Sequence, residues 1–115
     1  MIDPTDLARR IAAIASDAVA TDIQVLDIRE LSTIADCFVI ASADNTRQLR
    51  AMGETIAREL RDEGVRPDRR EGVAETGWLV LDYGSVIVHL FTEEQRSHYR
   101  LEDVWADAQR LLVIQ

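Results

Sequence analysis

Only a few of the 115 residues are of types that do chemistry, so each can be weighed in turn. His89 and His98 are the only histidines, and with Cys37 or Asp82 they are the candidates for metal ligation. Their spacing fits no ligand pattern, and neither H-E-x-x-H nor a paired C-x-x-C occurs. Cys37, the single cysteine, heads the apolar run Phe38-Val39-Ile40-Ala41 and reads as a small buried residue; as a nucleophile it would need a base that only tertiary structure could bring. Glycine-rich phosphate loops and the G-x-S-x-G elbow are absent. Tyr99 and Arg100, with Arg96 and His98, could hold a phosphate, but arginine in a last helical turn more simply matches the helix dipole. Asp36 and Asp82 are the carboxylates from which metal-assisted group transfer could be built. Taken together the pattern predicts no catalytic residue, no metal and no cofactor.

The elements around these residues follow from periodicity. Asp3-Pro4 is a cap and first-turn proline for an amphipathic helix to about Ala20, with Leu7, Ile11, Ile14, Ala15, Ala18 and Val19 on its apolar side. Ile23 to Ile28 and Cys37 to Ala41 read as strands. Ser42 to Asn45 offers caps for a second helix whose face is Leu49, Met52, Ile56 and Leu60 and whose end is Gly64. Asp68 to Glu75 is weakly strand-like. Trp78 to Tyr83 and Val86 to Phe91 flank Gly84-Ser85 as a hairpin. Leu101, Val104, Trp105, Ala108, Leu111 and Leu112 then predict a closing helix with Trp105 in the core. The order is αββαβββα, an α/β fold with a mixed sheet of about five strands flanked by helices, in one domain over residues 1–115.

Alternation divides the hairpin into two faces, because strand side chains have a period of two. Leu79, Leu81, Val86, Val88 and Leu90, with Tyr83 at the edge, form a core face. The opposite face collects Trp78, Val80, Asp82, Ile87, His89 and Phe91, an aromatic and polar mixture that a dry core seldom tolerates. Two readings follow. Either this face is a contact surface anchored by Trp78, or a helix covers it and Asp82 hydrogen-bonds His89 beneath.

Charge narrows the partner. The chain has 21 acidic against 13 basic residues, all of the latter arginine, for a formal charge of −8. Such a chain is poorly suited to wrapping nucleic acid and better suited to a basic protein. No stretch reaches the ~20 apolar residues needed to span a bilayer and the opening residues do not resemble a signal peptide, so a cytoplasmic protein is expected.

The residues Ala35-Asp36-Cys37-Phe38-Val39-Ile40-Ala41-Ser42, Thr46-Arg47-Gln48, Gly77-Trp78-Leu79-Val80-Leu81-Asp82-Tyr83-Gly84, Val88-His89-Leu90-Phe91, Arg96, Tyr99-Arg100-Leu101-Glu102 and Trp105 resemble, in order and spacing, the Iojap-like ribosomal silencing factors. One departure is Ala43-Asp44, where that family often has a glycine. The resemblance implies a nucleotidyltransferase-like fold without that fold's chemistry. It further implies binding to the large ribosomal subunit through its protein L fourteen, steric exclusion of the small subunit, repression of translation under nutrient limitation, and homodimers in some members. The signature positions place Trp78, Asp82, Tyr83, His89, Phe91, Arg96, Tyr99 and Glu102 as the candidate partner-binding residues. An enzyme of the nucleotidyltransferase class and a direct RNA-binding module are the alternatives.

Overall fold

In the computed structural model, which describes residues 2–115, the Asp3 carboxylate accepts hydrogen bonds from the backbone N–H groups of Thr5 and Asp6, and Pro4 sits in the first turn. Helix α1 (Pro4–Asp17) thus begins with its free donors satisfied. It ends short of Ala20 because Val19 turns into the left-handed region at φ 67. Helix α2 (Thr46–Asp62) is capped at Asn45, whose Oδ1 accepts from Gln48 N at 2.8 Å, while Gln48 Oε1 accepts from Asp44 N at 2.6 Å. That reciprocal pair orders the loop where the family's glycine is missing.

Six strands form one sheet in the order β3-β4-β5-β2-β1-β6: β1 (Thr21–Asp27), β2 (Cys37–Ala43), β3 (Arg69–Glu71), β4 (Trp78–Asp82), β5 (Val86–Thr92) and β6 (Gln109–Ile114). Only β2 and β5 run parallel, joined across α2 and the β3-β4 segment; the other pairs are antiparallel. Strand β2 is buried over its whole length and feeds two cores. Cys37, Val39 and Ala41 pack with α1 and α2 on one face, whereas Phe38 and Ile40 meet Leu26, Ile28 and Phe91 on the other. The hairpin pairs Trp78 with Phe91 and Asp82 with Ile87 around Gly84-Ser85, with Gly84 at φ 82, so the predicted division of its side chains holds.

The predicted closing helix does not form. Helix α3 (Glu93–Tyr99) stops at Arg100, whose backbone is left-handed at φ 50, a short helical turn α4 (Leu101–Val104) follows, and the chain then extends as β6. Leu111, Leu112 and Ile114 pack on the first core, and pairing with β1 gives that strand's outer backbone groups their partners. Four consecutive apolar residues suit a helix or a strand equally, and the open edge of β1 decides it. The sheet therefore has six strands rather than five. Among the described residues no helix is long and apolar enough to cross a membrane.

Leu81 is 2% exposed and packs within the first core. Leu81→Ala should cost about 2 to 5 kcal/mol, read as a lower urea midpoint with an unchanged denaturant slope.

Candidate functional site

Helices α1 and α2 cover one face of the sheet, while on the other face only α3, α4 and the turn to β6 are available as cover. Leu101, Trp105 and Ala108 pack over Phe38, Leu26 and Ile28, with Trp105 edge-on to Phe38 at 5.1 Å between ring centroids. Trp105 therefore joins the second core from a helix end rather than from a helical stripe. Beyond this cover, towards β4, lies a groove of about 480 Å³ walled by Trp78, Val80, Ile87, Phe38 and Tyr99, with Ile34 on its rim. Ile34 is 58% and Tyr99 47% exposed, which leaves an apolar margin open to solvent.

The aromatic rings support one another. Trp78 stacks on Phe91 at 4.9 Å and lies 4.6 Å from Tyr99, and Phe38 meets His89 edge-on at 4.7 Å. Trp78 Nε1 donates to His89 Nδ1 at 3.3 Å. The covered-face reading expected an Asp82–His89 pair; instead Asp82 Oδ1 accepts from the backbone N–H of Gly84. Burial pushes the His89 imidazole down to about 4, so it is neutral at physiological pH and can accept from the indole. In the neutral ring, an acceptor at Nδ1 puts the proton on Nε2.

The eight candidate residues do not form one patch. Trp78, Asp82, His89 and Tyr99 line the groove. Phe91 is 0% exposed and serves as the floor under Trp78. Tyr83 lies on the opposite face in the first core, where burial raises its phenol to about 12, so it is not available to a partner on the groove side. Arg96, expected as a contact or a solvated charge, is 6% exposed and acts as an internal clamp: its guanidinium donates to Glu102 Oε1 at 3.1 Å, to Ser42 Oγ at 2.8 Å and to the carbonyl of Asp22. Glu102 is that clamp's anion. Sequence reasoning missed Phe38 and Ile34 as groove residues. Phe38 had a signal in its register beside Ile87, but Ile34 lies in a loop and had none.

Charge is uneven. The groove is lined by the carboxylates Glu71 and Asp82, and Arg69 at its edge pairs with Glu71 at 3.7 Å and stands opposite Asp82 in the β3–β4 register. Residues 21–44 and 77–115 hold eleven carboxylates and four arginines, whereas residues 45–76 hold seven of each. A larger polar hollow of about 760 Å³ near Ser42 and Arg96 contains charges that pair internally, Arg96 with Glu102 and Arg100 with Asp103. Cys37 is buried, and burial raises its thiol, which opposes nucleophilic use. Among the described residues no three His, Cys, Asp or Glu side chains gather as a metal site requires.

Fold and groove together define a small α/β domain with an aromatic groove on the less covered face of its sheet. Residues 2–114 match the family described as "Ribosomal silencing factor during starvation". The ribosomal silencing factor RsfS of Bacillus subtilis is 36% identical over 97 residues, spanning 84% of this chain and 82% of that protein. A Chromobacterium violaceum protein of known crystal structure superposes with a TM-score of 0.87 at 25% identity, covering 91% of this chain and 88% of its own. The mouse protein named for mitochondrial assembly of the ribosomal large subunit is 35% identical over 89 residues, which is 75% of this chain and 39% of that protein. The chain belongs to the ribosomal silencing factor family.

Two outcomes test this geometry. Arg96→Met should destabilise the fold by about 3 kcal/mol, because it strands the Glu102 carboxylate and the Asp22 carbonyl, and a chemical melt will measure it. The second concerns acid. The unfolded His89 titrates near 6.5 and the folded one near 4, so on acidification the unfolded chain takes up a proton first and stability falls as pH drops through that interval. Between pH 6.5 and 5 the loss should be roughly 2 kcal/mol. Asp27 and Glu63, whose carboxyls are held below their usual values by Arg29 and Arg10, lose their contributions only at lower pH. His89→Phe should flatten the melting temperature across that window.

Proposed function

We propose that this domain binds the large ribosomal subunit through its protein L fourteen, with the groove seated on that protein, and sterically blocks association of the small subunit, repressing translation under nutrient limitation in the cytoplasm. The observation that carries the reading is the groove itself: anchored aromatics, an apolar margin and the carboxylates Glu71 and Asp82. Such a site suits an apolar anchor flanked by basic residues, and tryptophan and tyrosine are frequent interface hot spots. Membership of the silencing-factor family supports ribosome binding, and the name of the mouse relative supports the large subunit. The formal charge of −8 favours a protein contact over direct contact with RNA phosphates.

Sedimentation with separated subunits tests the reading. Co-migration with the large subunit and inhibition of joining are expected; co-migration with the small subunit alone, or with neither, sinks it. Trp78→Ala should weaken large-subunit binding about thirtyfold, corresponding to roughly 2 kcal/mol, while most of the protein remains folded. Raising salt should slow association more than it speeds dissociation, as measured by surface-immobilised binding kinetics.

A further inference from the structure

His89 lines the docking groove and is 8% exposed, yet its Nε2 has no hydrogen-bond partner. Its other nitrogen is committed, since Nδ1 accepts from the Trp78 indole at 3.3 Å. That bond settles the tautomer, leaving a buried N–H on Nε2 with nothing to donate to. Buried donors are almost always paired, and an orphan is a standing cost that a ligand able to accept would remove. The other groove walls are apolar apart from the carboxylates, the Tyr99 hydroxyl and Thr76, whose hydroxyl donates to the carbonyl of Val73 at 2.7 Å.

We propose that the His89 Nε2–H is the specificity-determining donor of this groove: the partner segment that fills it brings an uncharged acceptor, a backbone carbonyl beside its apolar anchor. The inference rests on the docking reading above and adds the chemistry the partner must present there. A purely apolar insertion would leave the donor unpaired and gain little, so the groove rejects partners that offer greasy contact alone. A carbonyl suits the site better than a carboxylate, because the donor is a neutral N–H and the Asp82 carboxylate already lines the groove. In the free domain Nε2 is sealed from solvent, and an acceptor reaches it by rearrangement of the side chains that line the groove around it, a change of the kind interfaces commonly undergo.

Three substitutions separate the two nitrogens. His89→Gln places an amide donor where Nε2 stands, His89→Asn keeps an acceptor where Nδ1 stands, and His89→Phe removes both. Binding to purified protein L fourteen is measured by calorimetry for each, alongside the ¹⁵N-resolved imidazole signals of the unmodified protein. The expected result is that Gln stays within about threefold of the unmodified protein while Asn and Phe lose about tenfold or more, as for a stranded hydrogen bond. The Nε2–H resonance should move downfield and become protected from exchange on addition of protein L fourteen. If Asn binds normally and Gln does not, His89 serves only to hold Trp78 and the proposal is overturned. It is overturned too if all three bind alike, or if the Nε2–H signal is unmoved by a partner that does bind, a result obtained without any variant. Failure of the unmodified protein to bind protein L fourteen would instead remove the docking reading on which the inference stands.

Discussion

A six-stranded sheet has two apolar faces to bury, and the two long helices of this chain both lie on one of them. The rest of the architecture answers that shortage. The second face is covered over β1 and β2 by Leu101, Trp105 and Ala108, all drawn from about eight residues of irregular chain, and over β4 by nothing comparable. An uncovered strand in a small domain is costly unless its side chains support one another or meet a partner. Here they do the first through the Trp78, Phe91, Tyr99 and His89 rings, and leave an open groove for the second.

That partial cover must be fastened, and Arg96 fastens it. Its guanidinium reaches from α3 to the end of β2 at Ser42 and to the carbonyl of Asp22, where β1 is bulged and the backbone is left-handed at φ 48. Glu102, from the following helical turn, neutralises the buried charge. A buried ion pair contributes little net stability against an apolar substitute, yet breaking it is expensive, so its effect is to specify one arrangement of α3 and α4. Tyr99, one residue before the left-handed Arg100, is positioned at the groove margin by that arrangement. Groove geometry and fold integrity are thereby coupled: buried residues of the clamp place the exposed ring at the groove margin.

Desolvation explains the division of roles among the aromatics. Phe91 is wholly enclosed and supplies a rigid platform, Trp78 is half-buried on it, and Tyr99 is largely open. A graded series of this kind presents apolar area with little rotamer freedom left to lose, which favours tight association per unit area. His89 sits beneath the same array as a neutral polar group, held so by burial.

Local pattern was sufficient for much of this. Capping residues and apolar spacing located α1 and α2, and period-two alternation separated Leu81 and Val88 from Trp78 and His89 without any knowledge of the neighbours, because those periods are properties of the backbone alone. The negative charge and its acidic lean were likewise readable from composition. Tertiary structure decided the remainder. Leu111 to Ile114 became a strand because β1 offered an unpaired edge, which no local window contains. Tyr83 and Arg96, both carried by the family signature, turned inward, one into the first core and one into a clamp joining segments 54 and 74 residues apart. The Asp82–His89 pair of the covered-face reading is not formed: His89 accepts from Trp78, and Gly84, in its left-handed turn, brings its own N–H onto the Asp82 carboxylate. Burial and hydrogen-bond partnership depend on what arrives from distant parts of the chain, and residue type and spacing constrain only which side of the sheet a group begins on.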